Sequence, residues 1–338
     1  MQQQQNPKPW WFFHGSGTPR EVTIPPPPDW RRFDGGPPIE RDLPDEPNAA
    51  RRFGSRGRGE TYQASDEELD LINAALYLRR PLLVTGKPGT GKSTVAYAIA
   101  HELKLGPVLR WSINTRTMLQ QGLYRYDAIG RLQDAPKEGD RPDIGAYIQL
   151  GPLGTALLPT RRPRVLLIDE IDKSDIDLPN DLLNIFEEGE FKIDELVRAR
   201  DADPETRVMP HDGTREEDRV PIQGGVTRCL EFPIVVMTSN DEREFPAPFL
   251  RRCLRLDIQA PDPEKLRRIV EAHLGGEIAK QADGLIDAFL QRRGVAHLAT
   301  DQLLNAIYLT TRQIDVQHGD QEQLLNALLR SLERTGGG

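Results

Sequence analysis

Residues 82–93 read LLVTGKPGTGKS, and this stretch decides the fold. Residues 86–93 fit the pattern G-x-x-x-x-G-K-[ST] in full. The four residues before this glycine-rich turn form a short apolar strand candidate, and helix-forming sequence follows from Lys92 to Leu105. Strand, turn and helix in this order open a βαβ unit. The sequence therefore predicts an α/β fold.

The glycine-rich turn is suited to hold the phosphates of a nucleotide. Glycines allow a tight loop whose backbone N–H groups face phosphate oxygens, and the positive end of the following helix dipole favours the same anion. We predict that Lys92 reaches the β- and γ-phosphates of ATP and that Ser93 supplies a hydroxyl ligand to Mg²⁺. The predicted nucleotide-binding residues are Gly86, Pro88, Gly89, Thr90, Gly91, Lys92, Ser93 and Thr94. A chance match in an ordinary loop is the alternative, which the flanking strand and helix disfavour.

Four later apolar runs are further strand candidates. They are short, and helix-capable sequence separates them: 108–113, Val165–Asp169, Ile234–Thr238 and 254–258. Continuous apolar strands of this kind are typical of a parallel sheet that is covered on both faces. We expect such a sheet, flanked by helices.

Two carboxylates end the second of these runs. Asp169 and Glu170 follow four apolar residues, and ligands of open α/β sheets bind at the carboxyl ends of the strands. We predict that Asp169 holds the Mg²⁺ shell and that Glu170 polarises the water that attacks the γ-phosphate. The alternative is a strand that ends in solvated acids, which a complete phosphate-binding loop earlier in the chain disfavours.

A polar amide ends the third run. Asn240 follows 234–238 and Ser239, and from there it can orient the attacking water beside the γ-phosphate. The alternative interpretation is an ordinary turn-forming asparagine.

The chain divides into three parts by composition. Residues 1–60 are rich in Pro, Gly and Arg and have too little apolar sequence for an independent core. Residues 61–260 hold the strands, and a capping box of Ser65 and Glu68 starts their first helix. Residues 261–335 show helical periodicity and no strand candidate, which predicts a small helical lid domain.

Aromatic residues in the N-terminal part are unusual for a free linker, because exposed Trp and Phe are costly in water. They are Trp10, Trp11, Phe12, Phe13, Trp30 and Phe33. We predict that they anchor this part on the body of the protein or on a neighbouring subunit. The alternative is a wholly disordered leader.

Composition excludes several classes of protein. No run approaches the roughly 20 apolar residues of a membrane helix, and the start MQQQQNPKPWW lacks the features of a secretory signal. Cys229 and Cys253 are the only cysteines, too few for a disulfide framework, so we expect a cytoplasmic protein in which both are core residues. A net charge of -8 makes nucleic acid an unlikely partner.

These motifs together resemble the AAA+ superfamily, and more narrowly MoxR-type ATPases of the helix-2-insert clade. The resemblance rests on the phosphate-binding loop, LLIDE at 166–170, TSN at 238–240, FLRRC at 249–253 and the trailing helical sequence. It implies a hexameric ring with ATP between subunits, in which Arg251 or Arg252 reaches the neighbour's γ-phosphate as an arginine finger. A surface arginine pair is the alternative.

The resemblance also implies partner proteins, and the chain departs from the family pattern at one place. Such ATPases often act beside a protein with a von Willebrand factor A domain, and some belong to bacterial multi-component defence systems. The stretch 299–302 has no arginine where family members place a lid sensor. Residues 115–158 resemble the helix-2 insert, and 194–228 form a long acidic connection that resembles the pre-sensor hairpin. We expect both insertions to line the pore face.

Three functions fit the sequence. The leading one is an ATP-driven remodelling or chaperone ATPase that acts on a protein partner. The second is an ATP-dependent assembly switch or scaffold with slow turnover. The third is a DNA-acting ring translocase, for which the basic stretch 51–58 is the only candidate contact.

Overall fold

Eleven strands lie in the residues that the computed structural model describes, which are 7–43, 61–134, 143–293 and 300–311. They are β1 (Leu82–Thr85), β2 (Leu109–Ser112), β3 (Tyr124–Tyr126), β4 (Ile148–Leu150), β5 (Val165–Asp169), β6 (Glu190–Lys192), β7 (Glu205–Val208), β8 (Val220–Gln223), β9 (Val226–Arg228), β10 (Ile234–Thr238) and β11 (Leu254–Asp257). Five of them form a parallel sheet in the order β11-β1-β10-β5-β2. These are the five strands that the sequence predicts, each to within one residue at its ends.

Twelve α-helices lie in the same described ranges. They are α1 (Asp66–Leu78), α2 (Thr94–Glu102), α3 (Leu119–Leu123), α4 (Ala128–Gln133), α5 (Pro152–Ala156), α6 (Leu178–Glu188), α7 (Asp194–Ala199), α8 (Ala247–Arg252), α9 (Pro263–Leu274), α10 (Gly276–Gln281), α11 (Asp283–Arg293) and α12 (Thr300–Thr311). None of the helices in this part of the chain is both long enough and apolar enough to cross a membrane.

The central sheet separates two apolar layers. On β5, Val165 and Leu167 pack with the layer that holds α1 and α2, whereas Leu166 and Ile168 pack with the layer on the other face. Successive side chains of a strand point to opposite faces, so a run that is apolar throughout is buried on both sides. This arrangement confirms the predicted parallel α/β sheet flanked by helices.

Helix α1 starts at the predicted capping box. The Ser65 hydroxyl accepts a hydrogen bond from the Glu68 backbone N–H at 3.3 Å, and the Glu68 carboxylate accepts one from the Ser65 N–H at 3.0 Å. The pair satisfies two donors that the first helical turn leaves without partners.

Residues 7–43, called the N-terminal strap below, lie against the body of the protein. Trp11, Phe12 and Phe13 are buried, and the fully buried Asn73 of α1 holds their backbone. The Asn73 side chain accepts hydrogen bonds from the N–H groups of Phe12 and Phe13, both at 3.0 Å, and donates one to the Phe13 carbonyl at 2.7 Å. The prediction that these aromatics anchor on the body is confirmed, and a disordered leader is wrong for this stretch.

A second buried polar group holds the next part of the strap. Glu102, at the end of α2, has no exposed surface. Its carboxylate accepts hydrogen bonds from the backbone N–H of His14 at 2.7 Å and of Ser16 at 2.8 Å, and it pairs with the Arg20 guanidinium at 2.9 Å. The charge of Glu102 is therefore compensated inside the protein, as a buried carboxylate requires.

The far end of the strap reaches the region around β9. The Phe33 ring stacks on Phe232 with centroids 5.6 Å apart, and the Gly35 N–H donates to the Cys229 carbonyl at 3.1 Å. Trp30 differs from the other aromatics, because 81% of its surface is exposed. The body of the protein therefore does not bury Trp30, and for this residue a contact with a neighbouring subunit stays a prediction.

The two insertions are more ordered than the sequence suggests. Within 115–158, β3 pairs antiparallel with β4 next to three short helices. The connection 194–228 holds α7 and three strands, which join β6 in an antiparallel sheet ordered β6-β9-β8-β7. Antiparallel strands in this connection agree with its resemblance to a hairpin, although each strand has only three or four residues and is too short to show a clear alternation in the sequence.

Helices α9 to α12 form the predicted lid. They pack around a separate apolar cluster that includes Leu266, Val270, Phe289 and Ile307. The rest of the predicted lid, from 312 to 335, lies outside the described residues, as do 44–60 of the N-terminal part and the basic stretch 51–58.

Candidate functional site

The glycine-rich loop connects β1 to α2 as predicted. Gly86 has a φ of +141°, and a Cβ there would lie 2.4 Å from the carbonyl oxygen of Ile258. Only glycine fits this close approach, because an added carbon at that distance collides with backbone. The Thr90 hydroxyl donates to the Lys87 carbonyl at 2.9 Å and holds the loop closed.

Lys92 lies inside the loop with three hydrogen-bond acceptors. Its Nζ donates to the carbonyls of Gly86 at 2.7 Å and Lys87 at 2.9 Å and to the Asn240 Oδ1 at 2.8 Å. Burial lowers the pKa of the Lys92 ammonium, and the nearby carboxylates, Asp172 first among them, oppose this shift. The predicted phosphate-binding lysine and the predicted water-orienting asparagine are thus in direct contact.

Asp169 and Ser93 also meet. The Asp169 Oδ1 accepts hydrogen bonds from the hydroxyls of Ser93 and Thr238, both at 2.8 Å, and its Oδ2 accepts from the Arg110 guanidinium at 2.6 Å. Burial raises the pKa of the Asp169 carboxyl, but these hydrogen bonds and the charge of Arg110 outweigh it, so the pKa lies below its ordinary value. An ionised carboxylate beside a hydroxyl is a donor set that fits Mg²⁺.

Glu170 has an uncommon backbone conformation. Its φ is +63°, the left-handed region that residues other than glycine seldom adopt. Its N–H donates to the Thr238 Oγ1 at 2.9 Å, and its carboxylate pairs with Lys173 Nζ at 2.9 Å. The Glu170 side chain is 47% exposed, so the carboxylate lies at the surface of the site. Such strained residues cluster at functional sites.

Asn240 is fixed by a residue that the sequence did not single out. The Asp172 Oδ2 accepts a hydrogen bond from the Asn240 N–H at 2.8 Å, and Asp172 is 5% exposed. Within the described residues, the other carboxylate oxygen of Asp172 has no hydrogen-bond partner. Asp172 therefore positions the loop after β10 next to the glycine-rich loop.

These groups line a cleft of about 590 Å³ between the central sheet and the lid. Its lining is Thr61, Tyr62, Gln63, 88–94, Asp169, Glu170, Thr238, Asn240, Ile258, Lys265, Ile269, His273, Thr300, Leu304 and Asn305. The lining includes seven of the eight predicted nucleotide-binding residues, and the remaining one, Gly86, takes part through its carbonyl.

Two lid side chains connect the lid to the first turn of α1 and to the segment before it. Lys265 Nζ donates to the Glu68 carboxylate at 2.8 Å, and the His273 Nε2 lies 3.0 Å from the Thr61 hydroxyl. No arginine is among the described residues that line the cleft.

The arginine pair lies at the opposite edge of the sheet. Arg251 and Arg252 end α8 and precede β11, which runs parallel to β1, so they lie at the amino ends of the strands. The Arg80 guanidinium donates to the carbonyls of both residues, and the Arg252 side chain pairs with Glu187. The structure therefore does not bring the pair together with the other predicted site residues of the same chain.

The sequence did not lead us to predict three residues of the site. Arg110, Thr238 and Asp172 each bond directly to a predicted site residue. The available signals were weak: a charged residue in the strand sequence LRWS, a threonine before the quoted asparagine, and a second acid after the predicted carboxylates.

Comparison with known families agrees with this geometry. Residues 81–253 match the family model of the AAA domain (dynein-related subfamily), which is just over half of the chain. The matched span holds the glycine-rich loop, four of the five strands of the central sheet and the arginine pair, and it ends one residue before β11. A search of curated proteins finds no match.

Proposed function

Because this chain belongs to the dynein-related subfamily of AAA-domain proteins, we propose that it is an ATPase that holds ATP and Mg²⁺ in the cleft between sheet and lid. One observation carries the proposal: Lys92, Ser93, Asp169 and Asn240 converge at the carboxyl edge of the sheet through hydrogen bonds of 2.8 Å. Ligands of open α/β sheets bind at this edge.

Each residue has a role that follows from its position. Lys92 binds the β- and γ-phosphates by exchanging its loop acceptors for phosphate oxygens, which form stronger charge-assisted hydrogen bonds. Ser93 and Asp169 hold Mg²⁺, whose chemical contribution is to neutralise charge on the phosphate oxygens.

Glu170 is the proposed general base. Its carboxylate is exposed at the surface of the site, where it can accept a proton from the attacking water, and Lys173 holds it in place. Asn240 orients the same water, since its backbone is fixed by Asp172 and its side chain lies against Lys92.

The position of the arginine pair supports action between subunits. β1 has four residues, roughly 13 Å at about 3.3 Å per residue, so the pair lies about one strand length from the glycine-rich loop of its own chain. A neighbouring copy can present its own cleft to this edge. We therefore propose a homo-oligomeric ring, a hexamer as in the family, with an arginine finger acting in trans.

The finer role that we propose is MoxR-like remodelling of a protein partner in the cytoplasm, where the partner includes a von Willebrand factor A domain. The insertion bearing β3 and β4 supports this role, because Met118, Ile129 and Leu132 there are more than 60% exposed and offer apolar contact to a polypeptide. The slow assembly switch is the alternative, and steady-state turnover with and without partner separates the two.

Lys92→Ala tests nucleotide binding directly. We expect ATP affinity to fall by about ten- to a hundredfold, the value of lost hydrogen bonds to a charged group, while circular dichroism shows an unchanged fold. Lys87→Ala is the matched control, because Lys87 is an exposed lysine of the same loop. Isothermal titration with ATP and Mg²⁺ measures both. Unchanged affinity in Lys92→Ala, or equal loss in both variants, would contradict the assignment.

A further inference from the structure

Arg110 makes a close ion pair with the carboxylate assigned to Mg²⁺. Its Nε and Nη2 lie 3.1 Å and 2.6 Å from the Asp169 Oδ2. The other carboxylate oxygen has only hydroxyl partners, Ser93 and Thr238. Among the described residues, Arg110 is therefore the only cationic side chain that hydrogen-bonds to Asp169.

A guanidinium and a metal ion at one carboxylate oppose each other. Arg110 satisfies one Asp169 oxygen with two N–H groups, and a divalent ion bound to the same carboxylate would lie within a few ångströms of that positive charge. Arginine cannot lose its proton to relieve this repulsion. The ion pair must therefore weaken when the metal binds.

The surroundings of Arg110 allow it to leave. β2 is an edge strand of the central sheet, and its residues alternate between buried and exposed. The Arg110 side chain is 48% exposed, whereas that of Asp169 is 10% exposed. Rotation of Arg110 into solvent breaks no core packing, while Asp169 stays fixed by its two hydroxyl donors.

We propose that Arg110 competes with Mg²⁺ for Asp169 and so sets the Mg²⁺ concentration at which this protein binds ATP. The inference rests on the proposed function. Arg110 is a positioning residue here, because it acts through the proposed metal ligand Asp169.

The test is a Mg²⁺ titration of nucleotide binding. A fluorescent, slowly hydrolysed ATP analogue is held at fixed concentration and Mg²⁺ is varied for the full chain and for Arg110→Gln. We expect the half-saturating Mg²⁺ concentration to fall by about two- to fivefold in Arg110→Gln, the effect of a half-exposed ion pair. Binding of the analogue in EDTA should be equal in both proteins.

Two further variants sharpen the result. Arg110→Lys keeps the charge, so its half-saturating Mg²⁺ concentration should lie between those of the parent and Arg110→Gln. Arg125→Gln is the matched control, because Arg125 is an exposed arginine of strand β3 whose guanidinium bonds to Gln149 away from Asp169. It should require the same Mg²⁺ as the parent.

Each other outcome overturns the inference. An equal or higher Mg²⁺ requirement in Arg110→Gln shows that Arg110 does not compete with the metal. Weaker binding of the analogue at saturating Mg²⁺ shows that Arg110 contacts phosphate instead. If the parent itself binds no nucleotide, the proposed function fails and this inference fails with it, which is a distinct result from nucleotide binding without a Mg²⁺ shift.

Discussion

One threonine hydroxyl connects the Asp169 carboxylate to the backbone of Glu170. Thr238 Oγ1 donates to the Asp169 Oδ1 at 2.8 Å and accepts from the Glu170 N–H at 2.9 Å, and Thr238 is 1% exposed. The second hydrogen bond helps to hold Glu170 at its positive φ of 63°. The different environments of two neighbouring residues, the proposed metal ligand Asp169, which is buried, and the proposed base Glu170, which is exposed, thus depend in part on a side chain from the adjacent strand.

Glu170→Gln separates nucleotide binding from hydrolysis. We expect turnover to drop by about a hundredfold or more, because an amide cannot accept the proton of the attacking water. ATP affinity should stay close to that of the parent, since Lys92, Ser93 and Asp169 are unchanged. Phosphate release measures turnover, and Glu188→Gln, an exposed glutamate of α6, is the control. Near-parental turnover would make Glu170 a structural residue.

The sequence predicts the residues of the site better than their connections. Lys92, Asp169 and Asn240 belong to patterns with fixed spacing, so each was found without the fold. Arg110 and Asp172 belong to no such pattern, and their roles arise because β2 and the turn after β5 lie beside Asp169 and Asn240 in space. The local sequence does not specify which distant segments lie side by side in the fold.

At the scale of elements, the strap depends on a few buried polar contacts. Asn73→Ala removes the acceptor for the N–H groups of Phe12 and Phe13 and leaves both buried without partners. We expect a loss of about 1–3 kcal/mol in the free energy of unfolding and faster proteolysis of the strap. Urea unfolding and limited proteolysis measure the two effects. Asn184→Ala, at an exposed position of α6, should change neither; equal effects would show that strap docking does not depend on Asn73.

The sequence predicted the elements that have a clear pattern of their own, and it did not predict the short strands that lack one. Three of the five central strands, β1, β5 and β10, are buried at every position, all five lie between helix-capable segments, and α1 carries its own capping box. The antiparallel sheet of β6 to β9 gave no such signal, because its strands have three or four residues and alternate only briefly. Its position is set by packing on the rest of the fold.

For the whole molecule, the role that we propose for the arginine pair would connect catalysis to assembly. We propose Arg251 as the finger, since Arg252 already pairs with Glu187. Arg251→Ala should lower turnover by about a thousandfold or more, with little change in ATP affinity, and Arg252→Ala should retain more activity. Mixed oligomers of Arg251→Ala and Lys92→Ala subunits should recover part of the turnover, because some interfaces then have both groups intact. No recovery from oligomers shown to be mixed would contradict action in trans.

The strap also determines when the protein can finish folding during synthesis. Its residues leave the ribosome before the partners that hold them, which include Asn73, Glu102, Asp212 and Cys229. The ion pair of Asp34 with Arg228 closes a separation of 194 residues. Contacts this distant form slowly and late, so the Phe33 end of the strap, which stacks on Phe232, stays undocked until most of the chain has been made. Chaperone demand and aggregation of nascent chains should therefore depend on this end of the strap more than on Trp11, Phe12 and Phe13, whose partners in α1 are made early.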